Sequence, residues 1–156
     1  MTQFEMVKIL FVCYGNSCRS PMAEALANQL GNGRVQAFSA GTHPLGAISF
    51  DTRAVLVEKG IGLQGCWSKG LEDVPVAEMD VVVEMGYGVK CKLPAEFKGR
   101  LVEWQIPDPF LLGREYFRDV RDLIESEVRR LLTELEAQDS RLENGNSKTN
   151  AGSTKV

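Results

Sequence analysis

The run Cys13-Tyr14-Gly15-Asn16-Ser17-Cys18-Arg19-Ser20-Pro21 sets a thiol and a guanidinium five residues apart in a glycine-containing turn. An apolar run over 7–12 leads into the turn, and helix-forming residues over 22–30 follow it. A helix leaves its first backbone N–H groups unbonded and is partially positive at that end, so a loop folded over it presents converging donors to an anion. The same field favours the thiolate of a cysteine at the preceding strand end. Arg19 adds a permanent planar charge whose paired donors match two oxygens of a tetrahedral oxyanion. Gly15 can take backbone angles closed to other residues, and Asn16 tolerates left-handed geometry while its amide braces the turn. Ser20 suits the N-cap, and Pro21 suits the first helical position, where its missing N–H costs nothing. Taken alone, Cys13 reads as a small buried hydrophobe. The arginine at this spacing, the Gly-Asn pair and the Ser-Pro start are what point to a sulfur nucleophile and an oxyanion.

Such a loop needs a rigid frame. The run 7–13 is apolar almost throughout, as a central parallel strand covered on both faces must be. A helix over 21–30 follows, with Met22, Ala23, Leu26, Ala27 and Leu30 at helical spacing and Gly31-Asn32-Gly33 ending it. Further strands are predicted over 35–40, 79–85 and 101–106. Asp51 reads as the N-cap of a helix over 52–59, and the last helix spans 114–136 with Phe117, Val120, Ile124, Val128, Leu131 and Leu135 as one apolar stripe. Strands alternating with helices predict an α/β three-layer sandwich, a parallel sheet of about four strands with helices on both faces. In such sheets the site lies at the carboxyl ends of the strands. That rule gathers Cys13, the loop 39–50, the segment after Met85 and Asp108 at one edge. Residues 139–156 are polar and without period, which predicts a disordered tail after a single domain over 1–138.

Composition narrows the partners. The chain has 156 residues and a formal charge of −3, with no basic block, which argues against a nucleic-acid or anionic-membrane partner. No apolar stretch approaches the length of a membrane span. Residues 1–6 lack the basic-then-apolar pattern of a secretory signal. Four cysteines, at 13, 18, 66 and 91, are then expected to be reduced thiols in a cytoplasmic protein.

Asp108 lies between two prolines at the end of the last strand. By itself Pro-Asp-Pro is a rigid turn. Beside a thiolate site, a carboxylic acid has a use. A departing phenolate, of pKa about 10, leaves far more easily if it is protonated as its bond to phosphorus breaks.

The segment 12–25 resembles the active-site loop of the low-molecular-weight protein tyrosine phosphatases and of their structural relatives, the thioredoxin-type arsenate reductases. The resemblance implies Cys13 as nucleophile, Arg19 as the oxyanion clamp and Asp108, in its Asp-Pro pair before the last helix, as general acid. It further implies substrate contacts from Tyr14, Gly15, Asn16, Ser17, Cys18 and Ser20, with neither metal nor cofactor. The substrate is expected to be a phosphotyrosine protein or a small aryl phosphate, and inorganic phosphate the product. Ser20 is expected to donate to the Cys13 sulfur. Asn16 and Ser39 resemble a network that holds the loop, in which Cys66 stands where many phosphatases have histidine. His43, in a loop, is expected to be exposed. Tyr14, Phe50, Tyr87 and Phe110 are candidates for an aromatic rim.

Two alternatives remain at this point. The segment 81–91 resembles the reductase segment that carries the relay thiols, and Ser17 has a counterpart in the reductase loop. Tyr87 stands at the first relay position, so only Cys91 is left, to act with Cys13 and a thiol reductant. The continuation Arg19-Ser20-Pro21-Met22-Ala23-Glu24 looks more like the phosphatases. Cys18 can alternatively pair with Cys13 and protect it from over-oxidation. A non-catalytic phosphate-binding module is the third reading, opposed by the presence of Cys13, Arg19 and Asp108 together.

Overall fold

A computed structural model describes residues 6–63 and 65–152, with side chains up to Asp139. Its frame is a four-stranded parallel sheet, ordered β2-β1-β3-β4. The strands are β1 (Val7–Cys13), β2 (Val35–Gly41), β3 (Val81–Met85) and β4 (Arg100–Trp104). Register places Cys13 beside Gly41, Phe11 beside Val83 and Met85 beside Trp104, so the strand ends that carry the site are level. β1 is central and its last five residues are buried, as is all of β3.

Alternation along β1 builds two cores. Ile9, Phe11 and Cys13 face the larger one, where α1 (Arg19–Leu30), α2 (Phe50–Val57) and α3 (Arg114–Gly152) pack. Leu10 and Val12 face the smaller one, covered by the short 3-10 helices Leu71–Asp73 and Val76–Glu78 and by the segment 89–97. Both faces are thus closed, as a buried parallel sheet requires. Each fully buried Leu, Ile, Phe or Met contributes about 1.5–3 kcal/mol, which makes β1 the costliest strand to disturb.

The predicted stripe of α3 holds: Phe117, Val120, Ile124, Val128 and Leu131 are buried, and Leu135 packs against the same core. Its backbone continues past Glu136, the predicted end, to Gly152. The expected tail over 139–156 falls on residues whose side chains lie, from 140 onward, outside the described residues. α2 starts at Phe50, with Ser49 at the N-cap, so Asp51 lies in the first turn and is not the cap. Its carboxylate instead accepts from Arg114 Nε at 3.0 Å, tying the start of α2 to the start of α3.

One ion-pair group between α2 and α3 has a pH signature. Glu58 accepts from Arg118 Nη2 at 2.9 Å and from Arg121 Nη1 at 2.7 Å. These bonds, Arg118's first, hold its carboxyl down to about 2 from the ordinary 4.5. A folded-state value below the unfolded one gives a contribution fully present above pH 4.5 and lost as pH falls toward 2. Denaturant unfolding should therefore show a wider stability gap between wild type and Glu58→Gln at neutral pH than near about pH 2.5. An equal gap at both would remove this account.

Candidate active site

The turn between β1 and α1 is held from outside by its carbonyls. Thr42 N donates to Cys13 O at 3.0 Å, His43 N to Tyr14 O at 2.7 Å and Leu45 N to Gly15 O at 3.0 Å. Ser17 O accepts from Ser49 N at 3.1 Å and from Thr52 Oγ1 at 2.9 Å, and Ser68 Oγ donates to Gly15 O at 2.9 Å. With the carbonyls turned outward, the N–H groups of residues 14–18 are left without acceptors among the described residues. A curl of unpaired donors at a helix start is an anion cradle.

Several loop residues play parts other than those expected. Gly15 is not the left-handed residue; Asn16 is, at φ 47°. Gly15 is instead a point of close approach, since a Cβ there would lie 2.8 Å from Leu45 Cγ. Gly41 is a stricter case: a Cβ would meet Tyr14 O at 2.7 Å and Asn16 N at 2.8 Å, both backbone. Ser20 is not the N-cap, because α1 begins at Arg19 and Cys18 occupies the cap. The Ser20 hydroxyl is engaged elsewhere: it lies 2.9 Å from Cys13 Sγ and accepts from Asn16 Nδ2 at 2.8 Å. Pro21, third in the helix, still falls in the first turn, where a missing N–H leaves no bond unmade.

The brace behind the loop uses a backbone group. Lys69 N donates to Asn16 Oδ1 at 2.9 Å, which fixes the amide so that its NH2 points to Ser20. Ser39 has no part in this network: its hydroxyl donates to Glu24 Oε2 at 3.1 Å. Cys66 borders a separate shallow cleft with Glu24. Burial pushes both the Cys66 thiol and the Glu24 carboxyl above their ordinary values. The side chains of Asn16 and Ser20, residues expected to touch substrate, are fully buried behind the loop and brace it, while the Asn16 backbone N–H belongs to the cradle.

Arg19 is held at its far side. Nη1 donates to Met85 O at 2.9 Å and to Ile106 O at 3.2 Å, and the side chain is 8 % exposed. Gly86, just past the end of β3, is what allows this: at φ 131°, a Cβ there would overlap Nη1. The other end nitrogen, Nη2, lies 3.7 Å from Asp108 Oδ2. Asp108 Oδ1 accepts from Phe110 N at 3.1 Å, and the carboxylate is half exposed.

These groups meet at a cavity of about 200 Å³ lined by Cys13, Tyr14, Gly15, Ser17, Cys18, Arg19, Leu45, Asp108 and Phe110. Cys13 itself is 2 % exposed, at the floor. Burial pushes the Cys18 thiol up to about 11, so it stays protonated at neutral pH. Tyr14 stacks on the exposed His43 with ring centroids 4.6 Å apart. Of the expected aromatic rim, Tyr14 and Phe110 line the cavity and Phe50 and Tyr87 do not. Leu45, which the sequence did not single out, supplies another wall.

The low molecular weight phosphotyrosine protein phosphatase family matches residues 8–141. The chain belongs to this family. A glutaredoxin arsenate reductase from Synechocystis sp. is 35% identical over 138 residues, covering 83% of this chain and 99% of that protein. The low molecular weight protein-tyrosine-phosphatase Wzb of Escherichia coli is 30% identical over 142 residues, covering 83% and 96%. Among solved structures, the YwlE arginine phosphatase from Geobacillus stearothermophilus superposes with a TM-score of 0.76 at 30% identity, covering 86% and 96%. The family therefore holds relatives named for phosphate-ester chemistry and for arsenate chemistry, and its shared frame is the four-stranded α/β sheet described above.

Proposed function

We propose that the protein is a protein tyrosine phosphatase, a single domain over 1–138 that hydrolyses phosphotyrosine or other aryl phosphate monoesters through a cysteinyl phosphate. The observation that carries this is the stack at one cavity: Cys13 Sγ at the floor beside Ser20 Oγ, unpaired N–H groups and Arg19 around it, and Asp108 at the mouth. The Cys13 thiolate attacks phosphorus in line while the loop N–H groups and Arg19 hold the equatorial oxygens. As the P–O bond breaks, protonated Asp108 gives its proton to the departing phenolate. Water then attacks the cysteinyl phosphate and its proton returns to Asp108. The P–S bond breaks, inorganic phosphate leaves and the thiolate is restored. Ser20 Oγ accepts from Asn16 Nδ2, has the Ala40 carbonyl at 3.5 Å as one acceptor and lies 2.9 Å from Cys13 Sγ, so it is placed to donate to sulfur once Cys13 is a thiolate. Splitting one displacement into two easier ones is the gain of the covalent route. The chain's four cysteines are read as reduced thiols of a cytoplasmic protein.

Asp108→Asn tests the acid. Turnover of phenyl phosphate should fall by about 10²-fold or more, against a much smaller loss for p-nitrophenyl phosphate, whose leaving group needs less protonation. Equal losses would take the role from Asp108.

The second reading is arsenate reduction, favoured by the Synechocystis relative. It requires a thiol partner for Cys13, by which arsenate gains two electrons as two thiols become a disulfide. Cys91 fits that part poorly. It packs in the smaller core, across the sheet from the Cys13 side chain, and burial followed by the Glu84 carboxylate pushes its thiol up to about 12. The deciding assay offers p-nitrophenyl phosphate without metal and, separately, arsenate with glutaredoxin or thioredoxin systems. Phosphatase activity without arsenate reduction is expected; arsenate reduction lost in Cys91→Ser would reverse the order. Phosphate binding with neither activity would leave the non-catalytic module.

A further inference from the structure

The outward carbonyls of the turn between β1 and α1 are not all held alike. Among the described residues, Cys13 O and Tyr14 O are bonded by the backbone N–H groups of Thr42 and His43 and by no side chain. Gly15 O and Ser17 O each take a second donor besides their backbone one, and in both cases it is a buried hydroxyl. Ser68 Oγ donates to Gly15 O at 2.9 Å and Thr52 Oγ1 to Ser17 O at 2.9 Å. A carbonyl oxygen has two lone pairs, and here both are filled. Thr52, fully buried in the first turn of α2, sends its proton across to a carbonyl 35 residues away rather than into its own helix. Ser68 accepts from Gly46 N at 3.1 Å, which leaves its single proton for Gly15 O, 53 residues away.

These two carbonyls lie on either side of Asn16, which is left-handed at φ 47°. That conformation costs free energy in any residue with a Cβ, and rotation of a neighbouring peptide is a way to relieve it. A peptide is a rigid plane with its N–H and C=O on opposite edges, so a donor that fixes the oxygen also fixes the hydrogen. Gly15 O turned outward sets Asn16 N–H inward, and Ser17 O turned outward sets Cys18 N–H inward. Half a turn of either plane would replace a cradle donor with an acceptor that repels the anion. The bonds from Lys69 N and to Ser20 act on the Asn16 side-chain amide, not on these planes.

We propose that Thr52 and Ser68 are positioning residues, whose hydroxyls hold the peptides on either side of Asn16 with their N–H groups inward, so that the cradle is set before an oxyanion enters. This rests on the phosphatase reading above and deepens it. Donors already aligned stabilise charge that develops in the transition state without a cost of reorganisation. Neither side chain lines the cavity, so an effect of either on catalysis has to pass through the two peptides.

The test compares Thr52→Val, Thr52→Ser and Ser68→Ala with wild type. Valine keeps the buried volume of threonine and loses the hydroxyl, whereas serine keeps the hydroxyl and loses the methyl. In Thr52→Val and in Ser68→Ala, kcat/KM for p-nitrophenyl phosphate should fall by about tenfold, the scale of one hydrogen bond. The Ki of vanadate, which takes up the five-coordinate geometry of the transition state, should rise by the same factor. Thr52→Ser should stay within about twofold of wild type in both, although its melting temperature falls with the lost methyl. A packing role gives the reverse order, with Thr52→Ser the more damaged enzyme, and overturns the proposal. A lower kcat with an unchanged Ki also overturns it, because that pattern means fewer active molecules and not a weaker cradle. If wild type turns over no aryl phosphate, the phosphatase reading fails separately. Calorimetric titration with inorganic phosphate then still decides the positioning, with affinity expected to fall about tenfold in Thr52→Val and Ser68→Ala but not in Thr52→Ser. Equal affinities across the set, or no phosphate binding by wild type, overturn it.

Discussion

Cys13→Ser is expected to abolish aryl phosphate turnover while leaving phosphate binding in place. A serine hydroxyl is not ionised by a helix N-terminus as a thiol is, so the two-step route loses its nucleophile. The fall in kcat should reach at least about three orders of magnitude, or about 4 kcal/mol of transition-state stabilisation. The substitution suits the question because it is nearly isosteric at a residue only 2 % exposed. The hydroxyl also keeps a partner, since Ser20 Oγ already sits 2.9 Å from the sulfur position. On the proposed reading phosphate is held by the loop N–H groups and Arg19, neither of which the substitution removes. Calorimetric titration with inorganic phosphate and a thermal melt complete the measurement. If kcat fell no more than about tenfold, sulfur would not be the nucleophile. If phosphate affinity and melting temperature fell along with kcat, the role of Cys13 would be to pack the loop.

The contrast between what is local and what is distant explains which parts of this site the sequence disclosed. Strand β1, the turn and α1 are contiguous, so the Cys-x5-Arg spacing and the apolar run before it carried the cradle and its place in the sheet. Asp108 was reachable because a carboxylate between prolines at a strand end is itself a local pattern. What holds these groups is not contiguous. The carbonyls that anchor Arg19 lie 66 and 87 residues away from it, and no residue type marks a carbonyl. The same is true of Lys69, whose backbone N–H takes the position expected of Cys66. Ser20 shows local preference yielding to tertiary demand: Ser-Pro suits a helix start, yet the hydroxyl is claimed by Cys13 and Asn16. Ser39 drew attention as a strand-end hydroxyl at the right edge, but its side chain lies on the Glu24 side of the loop. The continuation of α3 past Glu136 was invisible for a simpler reason, since the apolar stripe that announces a packed helix ends at Leu135.

Those distant anchors set up the second large effect, the loss of activity in Arg19→Lys. Lysine keeps the charge but not the fork. Arginine can give Nη1 to Met85 O and Ile106 O while its remaining donors face the cavity, whereas one ammonium must choose between them. A loss of about 10²- to 10³-fold in kcat/KM is expected, the scale for removing one preorganised donor from an oxyanion site. Stability should fall as well, by about 1–3 kcal/mol, if either buried carbonyl is left unpaired. Gly86→Ala approaches the same contact from the other side. Gly86 lines no part of the cavity, yet a Cβ at φ 131° would displace Nη1 from Met85 O. It is therefore expected to lose activity on a scale comparable with Arg19→Lys although it touches no substrate. The double variant separates the two accounts. If Gly86 acts by seating Arg19, the combined loss stays close to that of the larger single change, because a guanidinium already absent cannot be displaced. Losses that multiply would mean that the alanine damages the ends of β3 and β4 directly, and the fall in activity would then track the melting temperature.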